Sequence, residues 1–468
     1  MFFELVYDKS LAQASYVIGC QKAGIAAVID PKRDVDTYLQ IAQANNLKIT
    51  HVLETHIHAD FLSGSRELAA LTGADLYLSD EGDENWKYEF PHNKIKGGDV
   101  VKMGNLTFEV IHTPGHTPES VSFLLTDKPA SSEPVMLFTG DFVFVGDVGR
   151  PDLLEQAAGI KGTQDIGAAQ MYDSLHEFAK LGDYIQVWPG HGAGSACGKA
   201  LGAVPMTTVG YEKIRNWALQ LLNDKQAFTQ ELLADQPEPP KYFAMMKKLN
   251  KVDRKLLTEV PKIKNFSREE FSDAKSAGLK IIDTRPWTAY AEANLKGTLS
   301  ITNNNSFSTY MGWYMNYDEK FIVIAEENQV DDIMRKLMRI GLDNLSGFIT
   351  PSQLMEFEKG NLSSYTPISK DSVKEKISTS DVQIVDVRGA AEFKKGHIEG
   401  ADNLVLGKLY DNLDKISKDK PVIIHCQAGG RAAIAYSILQ AEGFENILNY
   451  AGGMNDWADE EKTVAVTA

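Results

Sequence analysis

Histidine and aspartate side chains recur at four separate points in the N-terminal half of the chain, each close to the end of an apolar, β-rich run. The run ITHVLE leads into THIHAD, and later runs lead into HTPGHT, TGD and WPGH. Imidazole and carboxylate groups are common protein ligands of zinc and iron. Since functional loops follow strand ends, the set predicts a metal site at one sheet edge. The candidate residues are His56, His58, Asp60, His112, His116, Asp141 and His191.

A second motif with its own chemistry, VIIHCQAGGRAA, lies near the C-terminus, where Cys426 ends an apolar strand and Arg431 begins a helix. The intervening glycines let backbone amides curl toward the sulfur, and the helix N-terminus adds a positive dipole. Such a cradle stabilises a thiolate and then an anionic persulfide. The motif therefore predicts a catalytic cysteine assisted by Arg431. The predicted cradle consists of Gln427, Ala428, Gly429 and Gly430.

The elements that must position these two sites divide into three segments. Short β-rich runs fill residues 1–200, a helical stretch follows, and a proline-rich linker lies at 234–243. Beyond it, IIDTRPWTAYAEANLKG is repeated as IVDVRGAAEFKKGHIEG, and each copy has the pattern of a small parallel α/β unit of about 100 residues. We predict three domains, which cover residues 1–245, 262–360 and 366–464.

The two copies of the repeat differ where the second carries its thiol. Their alignment puts Glu326 at the position of Cys426, and Asp331 at the position of Arg431. A carboxylate is no sulfur nucleophile, and it would repel an anionic sulfur. We therefore predict that the middle domain is inactive and serves in packing or in orienting its neighbours.

The charge composition of the chain excludes some classes of binding partner. Among 468 residues there are 48 basic and 64 acidic ones, a formal net charge of −16, so we expect neither nucleic acid nor a membrane surface as a partner. No apolar run approaches the roughly 20 residues that a membrane span needs. Cys20, Cys197 and Cys426 are too few and too far apart for a disulfide framework. This usage suggests a reducing compartment, and we expect a cytoplasmic protein.

Residues 1 to about 245 resemble the metallo-β-lactamase superfamily, and within it the persulfide dioxygenases, in these motifs and in the GRPDL segment. The resemblance implies an αββα sandwich in which His56, His112 and Asp141 hold one Fe(II) per chain. Such a site leaves coordination positions open for O₂ and substrate. Arg150 could pair with a carboxylate of a glutathione-like carrier, or with a nearby aspartate. The residues expected to orient ligands or substrate are His58, Asp60, His116 and His191.

The number of metals depends on Phe61. Hydrolytic relatives such as glyoxalase II have at this position a histidine that helps to hold a second metal. A phenylalanine cannot ligate, so the sequence favours one iron over two zinc ions. Phe61 counts against hydrolysis more than it counts for iron, because some iron dioxygenases retain that histidine. Cys197, which follows His191 on a glycine-rich stretch, could accept sulfur, line the substrate entrance or be a plain loop residue.

The C-terminal segment resembles the rhodanese family, through DVR, GHIEGA and the six-residue loop from Cys426 to Arg431. A loop of this size is linked to sulfur transfer, whereas the related phosphatases have seven residues. We expect Asp386, Arg388 and His397 to maintain the fold. The predicted architecture is therefore an α/β protein in which a metallo-β-lactamase sandwich precedes two rhodanese-like parallel α/β domains, the first of them degenerate.

Together the two sites resemble the fused persulfide dioxygenase–rhodanese proteins of bacterial sulfide detoxification. This resemblance implies oxidation of a low-molecular-weight thiol persulfide, such as glutathione persulfide, by O₂ to sulfite. Sulfurtransferase chemistry at Cys426 would then make or use thiosulfate. Two alternatives stay open: a dinuclear zinc thioester hydrolase of the glyoxalase II type with a sulfur-carrier appendage, and a non-catalytic persulfide carrier or sensor. The carrier thiol, the direction of transfer and the oligomeric state, a homo-oligomer included, also stay open.

Overall fold

The computed structural model describes residues 1–153, 155, 162–199, 201–379, 381–457 and 463–464. The chain forms two compact units. The first contains Met1–Val260 and Leu337–Gly341, and the second contains Pro261–Lys336 and Leu342–Ala468. The domain boundaries at 245, 262–360 and 366–464 stay predictions, and residues 458–462 of the last domain lie outside the described residues.

The first unit contains two six-stranded sheets. One runs in sequence order, antiparallel from β1 to β3 and parallel from β3 to β6. The other has the order β12–β11–β10–β9–β8–β7 and is antiparallel except between β10 and β11. The strands are β1 (Phe2–Asp8), β2 (Gln13–Cys20), β3 (Ile25–Ile29), β4 (Lys48–Leu53), β5 (Asp75–Ser79), β6 (Asn93–Ile95), β7 (Val100–Met103), β8 (Leu106–His112), β9 (Val121–Asp127), β10 (Met136–Gly140), β11 (Gln186–Pro189) and β12 (Thr207–Thr208).

Alternation along β2 shows how the layers are built. Tyr16 and Ile18 join Phe108 of the other sheet in a core between the sheets, whereas Val17 faces a second core that includes Tyr38. This is the period of two of a strand buried on both faces. Full burial of each large apolar side chain stabilises the fold by about 1.5–3 kcal/mol. The described helices of this unit are Asp36–Ala44, Ser65–Thr72, Thr163–Phe178, Val209–Arg215, Trp217–Gln220, Lys225–Leu233 and Phe243–Lys251, with a 3₁₀ turn at Glu84–Trp86.

Helices cover the outer faces of both sheets. Tyr38 of the helix Asp36–Ala44 packs on the first sheet, and Met171 and Leu175 of the helix Thr163–Phe178 pack on the second. This arrangement confirms the predicted αββα sandwich. Among the described helices of the whole chain, none is long and apolar enough to cross a membrane.

The second unit contains two four-stranded parallel sheets of identical strand order, β14–β13–β15–β16 and β19–β17–β20–β21. A short antiparallel pair, β18 with β22, accompanies the second sheet. The strands are β13 (Lys280–Asp283), β14 (Leu299–Ser300), β15 (Phe321–Ile324), β16 (Leu345–Ile349), β17 (Gln383–Asp386), β18 (His397–Ile398), β19 (Ala401–Asn403), β20 (Val422–His425), β21 (Ile447–Tyr450) and β22 (Thr463–Val464). The described helices are Arg268–Ser276, Trp287–Glu292, Phe307–Tyr314, Val330–Met338 (whose last two residues belong to the first unit), Pro351–Phe357, Lys370–Thr379, Ala390–Lys395, Gly430–Ala441 and Gly453–Trp457, with 3₁₀ turns at Glu327–Gln329, Leu406–Lys408 and Tyr410–Lys415.

The internal repeat is visible in one ion pair of each sheet. Asp386, at the end of β17, accepts hydrogen bonds from the Arg388 guanidinium, which also donates to the Gly396 carbonyl at 2.7 Å. Asp283 and Arg285 repeat this pair at the end of β13. Each pair connects the end of a strand to the loop that follows it. The aspartate–arginine motif therefore has the same structural role in both copies of the repeat.

Candidate functional site

Three of the candidate residues of the predicted metal site meet at the ends of three strands, two of them predicted ligands and the third, His116, predicted to orient ligands or substrate. His56 follows β4, His116 follows β8 and Asp141 follows β10, and all three are buried. Their ligand-type atoms lie within 4.8 Å of one another. Asp141 Oδ2 lies 3.6 Å from His116 Nε2 and 3.9 Å from His56 Nε2. The cluster therefore offers two imidazole nitrogens and one carboxylate to a common point.

Hydrogen bonds at the opposite ring nitrogens fix both imidazoles. Thr55 Oγ1 donates to Asp30 Oδ2 at 2.8 Å and lies 2.9 Å from His56 Nδ1. Because a hydroxyl has a single proton, the Thr55 oxygen is the acceptor toward His56. His116 Nδ1 lies 2.8 Å from the carbonyl oxygen of Arg150. Both rings thus carry their proton on Nδ1 and turn the Nε2 lone pair toward Asp141, which is how proteins orient metal-binding histidines.

Unsatisfied polar atoms test whether a cation fits this cluster. His56 Nε2 and both carboxylate oxygens of Asp141 are buried without a hydrogen-bond partner. Such atoms are rare in folded proteins, because burial without a partner is unfavourable. Burial, together with the nearby His58 and His116, lowers the pKa of His56 well below its usual value. Neutral imidazole is the form that ligates, so the donor set fits a metal ion.

The structure corrects one predicted ligand, His112. Its ring lies at the end of β8, half-buried, and His112 Nε2 is 2.9 Å from the carbonyl oxygen of Pro118 rather than near Asp141. The loop beyond it turns at Gly115, whose φ is +151° and whose Cα packs against Met171. That turn carries His116 inward, so the second histidine of HTPGHT takes the place predicted for the first.

His58 belongs to a separate buried group. Its Nε2 lies 3.0 Å from Glu54 Oε2 and 3.2 Å from Asp30 Oδ1. Burial alone would lower the pKa of His58, but these two carboxylates hold it well above its usual value. The ring of Phe61 packs against the His58 ring at 4.4 Å between centroids. The two acids thereby engage His58 Nε2, while the His58 ring lies 4.1 Å from the His56 ring between centroids.

His191, Asp60 and Cys197 form a third group beside Asp141. His191 Nε2 lies 3.2 Å from Asp60 Oδ2 and 3.4 Å from Asp141 Oδ1. The Cys197 sulfur and the ligand-type atoms of His191 and Asp60 all lie within 4.8 Å of one another. Burial and the Asp141 carboxylate raise the pKa of Cys197 to about 12. These residues therefore lie beside Asp141, with Cys197 as a neutral thiol, and their role toward a ligand or substrate stays a prediction.

The Arg150 side chain pairs with a nearby aspartate, which is one of the two roles considered for it. Its Nε and Nη2 donate to Asp152 at 2.7 and 2.6 Å, and Nη1 donates to the carbonyl oxygens of Ala196 and Pro237. The side chain is 1% exposed. Its guanidinium is therefore committed to the fold, while its carbonyl oxygen holds His116.

The thiol site lies at the end of β20, where Cys426 is 1% exposed. Its carbonyl oxygen accepts from Met454 N at 2.9 Å, and the next carbonyl, of Gln427, accepts from Asn455 N at 3.0 Å. The loop bends at Gly429, which has a φ of +88°, and the helix Gly430–Ala441 begins directly behind it. A sharp turn at Gly429 and a helix N-terminus thus follow Cys426, and the cradle of amides around its sulfur stays a prediction.

Arg431 is held by an acidic partner that the sequence did not indicate. Its two terminal nitrogens donate to the two oxygens of Glu392 at 2.5 and 2.8 Å. Gln427 joins the loop to the strand β17, since its side-chain oxygen accepts from Arg388 at 3.2 Å. At the equivalent place in the first parallel sheet, Glu326 is exposed on the 3₁₀ turn, so no thiol occupies that loop.

Comparison with known proteins shows which family has this architecture. The model of the metallo-β-lactamase superfamily matches residues 10–191. The crystal structure of a metallo-β-lactamase from Staphylococcus aureus is 44% identical, with a TM-score of 0.70, and the match covers 75% of this chain and 99% of that one. This chain belongs to the metallo-β-lactamase superfamily. A second model, of the rhodanese-like domain, matches residues 369–460, so the superfamily domain is followed by a rhodanese-like domain that contains Cys426.

Other members of the superfamily are similar over shorter stretches. Hydroxyacylglutathione hydrolases from Rhodospirillum rubrum and Francisella tularensis are each 32% identical, over 38% and 40% of this chain. The chain covers 60% and 61% of these relatives, less than two thirds of their length. ETHE1 from Myxococcus xanthus is 30% identical, with a TM-score of 0.42, over 51% of this chain and 93% of that one.

Three residues of this superfamily site escaped the sequence analysis, namely Asp30, Glu54 and Thr55. Each follows a buried strand directly, Asp30 after β3 and the other two after β4. The histidines were identified as polar side chains at strand ends. The same feature describes Asp30, Glu54 and Thr55. They lie outside the histidine and aspartate positions of the metal-site motifs, so the spacing of those motifs does not indicate them.

Proposed function

We propose that the chain is a persulfide dioxygenase with an attached sulfurtransferase. It oxidises a low-molecular-weight thiol persulfide, such as glutathione persulfide, with O₂ and water to sulfite and the free thiol, at one Fe(II) held by His56, His116 and Asp141. The observation that carries this proposal is the convergence of two imidazoles and one carboxylate, while the Nε2 atom of His58 is engaged by Glu54 and Asp30. Two histidines and one carboxylate form the facial triad of non-haem iron oxygenases.

Fe(II) bound there would supply adjacent coordination positions for O₂ and for the persulfide sulfur. The surrounding residues orient and shield that place. Thr55 and the Arg150 carbonyl fix the two rings, and Phe61 fills with an apolar ring the position at which a hydrolase has a further ligand. His191 Nε2 lies between the carboxylates of Asp60 and Asp141, 3.2 Å from the first and 3.4 Å from the second, and it orients both.

The rhodanese-like domain completes the sulfur chemistry. A persulfide on Cys426 is attacked at its outer sulfur by the sulfur of sulfite, and the sulfur–sulfur bond breaks. Thiosulfate forms, and Cys426 departs as a thiolate with the electron pair of the broken bond. The turned amides and the start of the helix Gly430–Ala441 stabilise that thiolate. The reverse reaction loads Cys426 from thiosulfate.

An oxygen-electrode assay with glutathione persulfide tests both halves. For the iron-loaded chain we expect O₂ uptake, with sulfite and thiosulfate as products. Asp141→Ala should abolish the uptake, because it removes the carboxylate of the triad. Absence of O₂ uptake with glutathione persulfide would contradict the dioxygenase and favour a persulfide carrier or sensor.

A second candidate is a two-metal thioester hydrolase. The group of Asp60, His191 and Cys197 next to Asp141 supports it, as does the similarity to hydroxyacylglutathione hydrolases. Phe61 counts against it, since it removes one ligand of the second metal. Metal content distinguishes the two candidates, because the hydrolase requires two zinc ions per chain and turnover of a glutathione thioester.

A further inference from the structure

The segment Leu337–Gly341 belongs to the first unit, although the helix Val330–Met338 that leads into it begins in the second. Its Arg339 is 9% exposed, and the guanidinium donates to both oxygens of Asp34, 305 positions earlier, at 2.8 and 2.6 Å. The remaining terminal nitrogen lies 2.6 Å from Asp8 Oδ2. Because the planar guanidinium holds both carboxylates in a fixed geometry, this side chain joins the end of β1 to the loop after β3.

The Asp8 carboxylate continues this connection toward the metal site. Its other oxygen, Oδ1, accepts from the backbone amides of Ser10 and Leu11 at 2.7 and 3.1 Å, and so fixes the turn between β1 and β2. The turn ends at Ala12, whose φ of +51° is uncommon for a residue with a side chain. The carbonyl oxygen of Ala12 lies 3.1 Å from His191 Nδ1. The turn that Asp8 fixes therefore sets the orientation of the His191 ring.

His191 connects the turn to the carboxylates of the metal site. The backbone beside it pairs with the same turn, since Gly192 N also donates to the Ala12 carbonyl oxygen, at 3.0 Å. With the ring held at Nδ1, its Nε2 lies 3.2 Å from Asp60 Oδ2 and 3.4 Å from Asp141 Oδ1. A displaced turn would move His191 and, with it, the group that orients the Asp141 carboxylate.

The backbone of Arg339 forms a second connection to the same place. Its carbonyl oxygen accepts from Leu62 N at 2.7 Å, in the loop that carries Asp60. A side chain at Gly341 would place its Cβ 3.2 Å from Leu62 Cδ2, so the segment packs closely on this loop. The segment thus reaches both partners of the contact between Asp60 and His191, the first through the loop and the second through the turn.

We propose that Arg339 is a positioning residue of the iron centre. Its guanidinium fixes the turn that holds His191, and His191 orients the Asp141 carboxylate toward Fe(II). This inference rests on the proposed iron site. Because the helix Val330–Met338 leads directly into Arg339, it also gives the copy of the repeat that lacks a thiol a specific task in the metal site.

The choice of variant separates positioning from folding. Removal of a buried guanidinium leaves its carboxylates unpaired and can prevent folding, so the main variant is Asp8→Asn. Asparagine keeps an Oδ1 acceptor for the turn and loses the charge that faces Arg339. Asp331→Asn is the matched control, because it breaks an exposed ion pair with Arg335, 2.7 Å long, on the helix Val330–Met338.

The iron-loaded full chain is examined by its iron content, by electron paramagnetic resonance after addition of nitric oxide, and by kcat and KM for O₂ uptake with glutathione persulfide. For Asp8→Asn we expect retained iron, an altered spectrum, a kcat lowered about tenfold and a KM within about twofold, as for a residue that orients a metal ligand. Asp331→Asn should match the wild type in every quantity. Arg339→Lys keeps the charge without the planar fork and should have a smaller effect, and its combination with Asp8→Asn should lower kcat no further than Asp8→Asn alone.

An unchanged spectrum and kcat in Asp8→Asn would overturn the inference, and a lowered urea midpoint alongside them would indicate a purely structural role. Additive losses in the combined variant would contradict it as well, since they would mean that Asp8 and Arg339 act separately. A spectrum that changes in Asp8→Asn, in a chain without O₂ uptake, would contradict the proposed dioxygenase and retain the inference. A wild-type chain that holds no iron would contradict both.

Discussion

The two histidines of HTPGHT give a matched pair of substitutions, because the structure assigns them opposite roles four residues apart. His116 Nε2 faces Asp141 at 3.6 Å, whereas His112 Nε2 lies 2.9 Å from a backbone carbonyl oxygen. We expect His116→Ala to abolish retention of iron and His112→Ala to retain it. Both variants remove the same side chain, so a difference between them reports position rather than chemistry.

The magnitudes follow from what each ring contacts. Loss of a hydrogen bond that merely supports a ligand weakens metal binding by about 10–100-fold, so loss of one of three ligands should exceed that range. For His112→Ala the lost interaction is one partly exposed hydrogen bond, and we expect the free energy of unfolding to fall by about 0.5–1.5 kcal/mol.

Anaerobic Fe(II) titration followed by metal analysis of the desalted protein measures the first quantity, and urea unfolding measures the second. Iron retained by His116→Ala but lost from His112→Ala would refute the geometry described here and restore the ligand set predicted from the sequence. Loss in both variants would refute the claim that the turn at Gly115 separates their roles.

Further substitutions test the groups that support each site. Thr55→Val should weaken iron binding by about 10–100-fold, because it removes the acceptor that fixes His56, whereas Thr50→Val, next to an unrelated histidine, should leave metal content unchanged. Gly429→Ala should destabilise the second unit by about 1–3 kcal/mol and slow sulfur transfer, because the added methyl group meets both a positive φ and close neighbours. Gly360→Ala is the control, since Gly360 has the same φ of +88° but open space around it. We expect a smaller shift of the urea midpoint for Gly360→Ala, and equal shifts would contradict a steric contribution at Gly429. Cys426→Ser should leave O₂ uptake intact and shift the product from thiosulfate to sulfite, and loss of uptake in that variant would contradict the separation of the two sites.

The sequence predicted the parts of the fold that depend on local pattern. The repeat around Asp283 and Asp386 indicated two equivalent α/β sheets, because the strand end and its arginine recur together. Strand-end histidines and Asp141 indicated the metal site for a similar reason. Such features are predictable because strand and ligand are close in the chain.

The features that the sequence did not reveal depend on direction or on distant partners. Whether His112 or His116 faces Asp141 is decided by the course of one loop over Met171, and motif spacing leaves that course undetermined. The engagement of Arg431 by Glu392 joins residues 39 positions apart. Side-chain orientation and long-range pairing are set by the packed fold. The sequence can therefore identify the residues of a site without assigning the role of each one.

The central claim is a single iron centre that uses O₂, and one combined measurement on the same sample tests it most directly. Metal content per chain is determined for the iron-loaded protein, and O₂ uptake with glutathione persulfide is then compared with hydrolysis of a glutathione thioester. We predict one iron per chain, one O₂ consumed per persulfide and no thioester turnover. Two metal ions per chain with thioester hydrolysis and no O₂ uptake would contradict the account.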